Sequence, residues 1–168
     1  MSKGLTKSLS RSGVVGSGYS RVSMKINTTV TVAAAGALAA FGTVVIGDLP
    51  KGLICINGAT AKLTFTTADT DLTTTWNGDF SIGSAPNADV TLSLLEIDII
   101  PSTSVGPATA RVATARGTQP AIVYVDNADD SSELNLQLLV DAADFTDAGS
   151  AIVAVTGTVD FFYAVIGA

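Results

Sequence analysis

The sequence predicts an all-β fold: an antiparallel β-sandwich, jelly-roll-like in topology, with an extended N-terminal arm. Three observations lead there. Glu and Lys are scarce, with only two Glu (Glu96, Glu133), while β-branched Thr and Val are plentiful. Segments of period-two alternation recur at intervals of roughly 8–14 residues, parted by Gly, Asn and Asp. No stretch carries a convincing 3.6-residue period. At 168 residues and 17.0 kDa the chain is long enough for one well-buried domain. The expected division is an arm over residues 1–22 and a sandwich domain over residues 23–168.

The arm is defined by charge. Residues 1–25 hold five cations (Lys3, Lys7, Arg11, Arg21, Lys25) and no acid, whereas all fifteen acids lie beyond them. Residues 1–23 also contain seven Ser and four Gly. A segment so poor in apolar side chains cannot offset its own ordering entropy, so it orders only against another surface. An acidic neighbouring protein chain fits best. Lys3, Lys7, Arg11, Arg21 and Lys25 would find carboxylates, with Val14, Val15 and Tyr19 as apolar anchors. Nucleic acid fits less well, because no aromatic residues are interleaved with the cations and the body is acidic.

Each strand follows from its alternation. Val22–Val32 places Val22, Met24, Ile26, Val30 and Val32 on one face, and Phe41–Ile46 follows an ambiguous AAAGALAA segment. Asn57-Gly58 and Asn77-Gly78 each predict a two-residue hairpin turn, because both central residues of such a turn need φ > 0. The first would join Leu53–Ile56 to Ala59–Phe65, and the second Thr73–Trp76 to Asp79–Ile82. Val90, Leu92 and Leu94 hold one parity and Leu95, Ile97 and Ile99 the other, so Val90–Ile99 reads as a strand with a bulge or one buried on both faces, closed by Pro101. Thr109–Ala115 reads as a modest strand with two outward Arg, Arg111 and Arg116. Ala121–Val125 is short, and Leu134, Leu136, Leu138 and Val140 share a face from which Asn135 and Gln137 point away. A turn of helix fits Asp141–Ala148. Ala151–Thr156 and Thr158–Ile166 close the chain, with Gly157 as a bulge or a switch between sheets. Val159, Phe161, Tyr163 and Val165 share one face of that last strand.

The residue inventory excludes several chemistries. With no His, neither a Ser-His-Asp nor a Cys-His arrangement can form. The single Cys55 lies in an apolar run and reads as a small buried hydrophobe. GVVGSG at residues 13–18 precedes a strand and does not open a helix, which argues against a phosphate loop. The expectation is a protein that is not an enzyme and has no cofactor. Two acidic loops remain, Asp69/Asp71 and Asp126–Asp130. Asp126, Asp129 and Asp130 could ligate Ca²⁺, but solvated turns built on Asp and Asn account for them as well. Residues 26–47 carry no charge. They are too rich in Thr, Gly and Ala for a membrane helix, and as a secretory signal cut after Ala39 they would have an overlong basic region. Two buried strands are the expectation.

Three stretches carry a family resemblance: LPKGLICINGATAKLTFTTADTDL, TTTWNGDFSIGSA and LNLQLLVDAADFTDAGSAIVAVTGTVDFFYAVIGA, which together span most of residues 49–168. In their Pro-Gly strand entry, Gly-Asp-Phe-x-Ile-Gly segment and closing Gly-Thr-Val strand they resemble the capsid decoration, or cement, proteins of tailed phages. The resemblance implies a β-sandwich that trimerises, sits on the capsid surface of the virion and grips the major capsid protein with an extended arm. It implies no catalytic residue and no membrane. The alternatives are another virion module, such as a head-fibre base or a receptor-contacting tail protein using Trp76, Phe80 and Tyr124, or a secreted β-sandwich adhesin.

Overall fold

Among the residues that the structure describes, the alternating segments become nine antiparallel strands. They are β1 (Ser20–Ala34), β2 (Ala39–Asp48), β3 (Gly52–Thr67), β4 (Gly78–Gly83), β5 (Ile100–Val105), β6 (Val112–Thr118), β7 (Val123–Asn127), β8 (Glu133–Asp141) and β9 (Ser150–Gly167). The structure is a computed structural model and describes residues 19–34, 39–68, 70–86, 89, 91–146 and 149–167. Short 3₁₀ turns at Leu94–Glu96 and Ala142–Asp144 are the helical elements among these residues.

The hydrogen-bonded order is β5-β4-β8-β2-β1-β9-β3-β6, with β7 also pairing β3. β1 pairs β9 along almost its whole length, but it meets β2 only at Ala33–Phe41 and Ala34–Ala40. The sheet therefore folds at the β1–β2 corner into two leaves, β1-β9-β3-β6/β7 and β2-β8-β4-β5. One flank of β3 pairs β9, while the other is shared in tandem by β7 (Gly52–Ile56) and β6 (Thr60–Thr66). The leaves face each other across an apolar core. The Phe65 and Phe80 rings, from β3 and β4, lie 5.6 Å apart, and a side chain at Gly117 would run into Ile100 and Phe80. The result is a nearly closed all-β sandwich.

The inward faces match the alternation. Val22, Ile26, Val30 and Val32 of β1, Leu63 and Phe65 of β3, and Leu134, Leu136, Leu138 and Val140 of β8 are all buried. Val159, Phe161 and Tyr163 are buried as expected, whereas Val165 is exposed near the end of β9. Cys55 is buried and unbridged. Trp76 and Phe80 are fully buried, so of the three aromatics considered for a receptor contact only Tyr124 faces solvent. The uncharged run forms β1 and β2, and no helix among the described residues is long and apolar enough to cross a membrane. A cut after Ala39 would remove β1, a strand held between β9 and β2.

Several local expectations fail for identifiable reasons. Asn57-Gly58 is not a hairpin turn. β3 runs straight through it, and the extra residue is absorbed as a register shift between Ile56 and Gly58 against β9. Asn77-Gly78 makes no hairpin either. The Asn77 backbone N–H and side-chain amide donate to Asp144 Oδ2 at 2.9 and 2.8 Å, and β4 begins only at Gly78. Residues 91–99 form no strand but a looped segment containing the first 3₁₀ turn. Pro101 begins rather than ends order, standing inside β5, whose place at one end of the sheet order tolerates a missing N–H. Gly157 does not switch the chain between sheets, because it stays in register with Ile26 and Leu63 inside one strand.

At Gly157 the backbone has φ +142°, and an added Cβ would strike the Lys62 carbonyl oxygen. Gly157→Ala should therefore lower stability by about 2 kcal/mol or more. Gly149→Ala, where nothing lies within 4 Å of the new atom, should change it by no more than about 0.5 kcal/mol. Urea unfolding of both variants checks the contrast, and equal midpoints would refute this account of β9.

Candidate interaction surface

Strand alternation sends the second set of side chains on β1, β9, β3 and β7 to the outside of the first leaf. Ser20 is opposite Tyr163, so Tyr19 comes alongside Ala164, and Ala164 pairs with Cys55, which pairs in turn with Tyr124. A row thus crosses four strands. Because Ala164 is small, the Tyr19 ring can lie across β9, and its hydroxyl shares a 3.8 Å hydrogen bond with Cys55 Sγ. That contact, foremost, holds the Tyr19 phenol above its ordinary pKa. Cys55, only 3% exposed, is sealed beneath the row.

Large apolar side chains surround it. Leu53, Phe162 and Ile166 are exposed on the same face, and Tyr124 is 63% exposed. Single exposed apolar residues are ordinary, but a contiguous group marks a binding surface. Arg21 lies over Phe162, with its guanidinium carbon 5.6 Å from the ring centre, and bonds Asp160 Oδ1 at 3.4 Å. At that exposure the ion pair contributes little to stability.

Beyond the end of β7 comes the acidic turn. Buried Asn127 donates to the carbonyls of Leu49 and Pro50 at 3.0 and 3.1 Å and accepts from Ser132 N at 2.8 Å. Asp126 accepts from Ala128 N, and Asp129 accepts from both Ser131 N and Ser131 Oγ. The Ser131 bonds hold Asp129 below the usual carboxylate range. These contacts build a backbone turn, with Asp126, Asp129 and Asp130 at its surface. No group of three or more potential metal ligands occurs among the described residues.

The outside of the second leaf is different. Asn135 and Gln137 do point away from the core, but they are buried, not solvated. Thr43 donates to Gln137 Oε1 at 2.9 Å, while Gln137 Nε2 donates to the Ala85 and Glu96 carbonyls at 2.7 and 3.3 Å. Ser81 Oγ adds a 2.7 Å bond to the same Glu96 carbonyl. This polar row straps part of the 84–99 segment over the leaf. Asp98 secures it as well, accepting from Ser84 N and Oγ at 2.9 and 2.6 Å.

Of the residues expected to dock a partner, Lys3, Lys7, Arg11, Val14 and Val15 lie outside the described residues. Tyr19 and Arg21 meet on the apolar face, while Lys25 stands farther along β1, opposite Thr158. Asp69 also lies outside the described residues. Sequence reading missed Leu53, Phe162 and Ile166. The available signal was the even-numbered set Phe162, Ala164, Ile166, which makes the end of β9 apolar on both faces.

No protein-family model matches the chain, and no curated protein matches it. Among solved structures it is similar to a chain of the cyanophage Pam1 capsid asymmetric unit, at 17% identity and a TM-score of 0.41, covering 88% of this chain and 87% of that one. It is also similar to a chain of Desmodium yellow mottle tymovirus, at 12% identity and a TM-score of 0.33, covering 88% and 90%. At these identities and scores, neither likeness carries a function across.

Two outcomes follow from the strap. Gln137→Leu removes the donor to two carbonyls and should cost about 1–3 kcal/mol in urea unfolding. An unchanged midpoint would show that the strap does not depend on Gln137. Asp98 is held above its ordinary pKa chiefly by burial, despite its bonds to Ser84. The fold thus binds its proton more tightly than the unfolded chain does. Its contribution to stability should fall as pH rises from the ordinary carboxylate range, near pH 4, through the raised value. Asp98→Asn should remove that part of the pH dependence in denaturant melts, and an unaltered profile would disprove the assignment.

Proposed function

We propose that this chain is a structural protein of a virus shell, of the tailed-phage decoration or cement class, acting by adhesion and not by catalysis. The observation that carries the reading is the apolar end of the first leaf's outer face, uncovered among the described residues. Tyr19, Leu53, Tyr124, Phe162 and Ile166 are exposed together there, while the outer face of the second leaf is strapped over by the chain's own loop. Buried apolar area is worth roughly 25 cal/mol per Å², so such a face favours a protein partner over water.

Other observations support it. The leaf orders β1-β9-β3-β6/β7 and β2-β8-β4-β5 support a jelly-roll reading, a topology used by capsid, lectin and cupin domains. The segments over residues 49–168 resemble decoration proteins, which favours the capsid among those uses. A chain without His lacks the commonest general base, in keeping with a mechanical role. On this reading the sandwich sits at the capsid surface, self-associates as a trimer and grips the major capsid protein. Area buried across subunit boundaries then adds to the work needed to open the shell.

Antibody labelling and gradient sedimentation of purified virus particles test the proposal. The chain should travel with intact shells and survive nuclease treatment. Recovery only in the soluble fraction, with unlabelled particles, would sink it.

A further inference from the structure

We propose that the outer face of the first leaf, with the free edge of β7 beside it, receives residues 1–18 of a neighbouring copy of this chain. The inference rests on the reading above of the chain as an assembly subunit, and it names what covers the bare face.

Three features of the receiving surface select an extended, cationic, partly apolar segment. One end of the face is apolar, formed by Leu53, Tyr124, Phe162 and Ile166, with Arg21 lying over Phe162. Next to it, β7 pairs β3 on one flank, and no strand among the described residues pairs its other flank. That edge offers backbone N–H and C=O groups to an added strand. Where β7 ends, Asp126, Asp129 and Asp130 are exposed, and Lys51 acts on Asp129.

The segment preceding Tyr19 has the complementary pattern. Lys3, Leu5, Lys7, Leu9 and Arg11 are all odd-numbered, so an extended chain would carry them on one face, apolar and cationic by turns. Thr6, Ser8 and Ser10 would take the other face, and residues 1–18 contain no acid to oppose the aspartates. Leucines against Tyr124 and Leu53, with cations against the Asp126–Asp130 turn, would satisfy both surfaces.

Length lets the segment reach a neighbour. β1 enters at Ser20 opposite Tyr163 and β9 continues to Gly167, so in that register only a few residues before Ser20 could stay beside β9, and the preceding ones would run past its end. Eighteen extended residues reach up to about 60 Å, against a body on the order of 40 Å across. The arm is long enough to lie along the next copy.

The experiment uses the full-length chain, with ¹⁴N- and ¹⁵N-labelled copies mixed and treated with a zero-length carbodiimide cross-linker. Mixed-isotope links from Lys3 or Lys7 to Asp126, Asp129 or Asp130 are expected. Links confined to one isotope would mean that the arm folds onto its own body. Self-association without such links would mean that copies meet in another way, and either result overturns the proposal. Sedimentation supplies a second readout: Tyr124→Ala, at an exposed position, should weaken self-association about tenfold or more. Lys3→Glu with Lys7→Glu should weaken it similarly, and Asp126→Lys with Asp129→Lys should partly restore it. No effect of these changes would count equally against the proposal. All of this is measured on purified protein without virus, so absence from particles would sink the shell reading while leaving the arm contact to stand or fall separately.

Discussion

Everything in this molecule depends on β1 and β2 parting after two residue pairs. Had they stayed paired, the sheet would be a flat ribbon with one face of apolar side chains in water. Because they part, β1 stays with β9 while β2 continues with β8, and the two inner faces come together. Gly42 lies at this corner, where a Cβ would strike the Thr31 carbonyl. The absent side chain lets one backbone pass close over the other while nearly every strand keeps its ladder. Backbone hydrogen-bond satisfaction and core burial are thus solved by one local device.

The same corner makes the two outer faces unequal. The second leaf carries the hydrophilic row Thr43, Gln137 and Ser81, which binds carbonyls of the 84–99 segment and is covered by it. The first leaf carries Tyr19, Leu53, Tyr124 and Phe162 in the equivalent place and has no such strap among the described residues. A polar row recruits backbone because carbonyls need donors, whereas an apolar row recruits apolar side chains. The proposed function and the proposed arm contact both derive from that difference.

Charge completes the picture. The cations concentrate before residue 26 and the acids after it, so the N-terminal segment and the body attract. Screening limits such attraction to about 8 Å in physiological salt. Charge therefore sets register, and the apolar row supplies most of the adhesion. Arg21 combines the two, stacking on Phe162 while reaching Asp160.

Alternation alone made the all-β class and the inward face of β1, β3 and β8 legible, because the period-two pattern records which side of a strand meets water; Cys55 was read as buried from its apolar run, although it lies on the outer face under Tyr19. The pattern did not reveal that Asn57-Gly58 is a bulge, since the preference for φ > 0 is local and the competing ladder to β9 comes from a hundred residues away. For the same reason Asn77 was misread: its partner, Asp144, is remote in sequence. Leu95, Ile97 and Ile99 looked like a strand, but residues 91–99 became a loop, since Gln137 and Ser81 offered the backbone other partners. The interaction surface was half visible, in Tyr19 and Arg21. Leu53, Tyr124 and Phe162 join them only where β3, β7 and β9 are laid side by side, and strand order is a property of the whole chain's closure, which no local window of residues encodes.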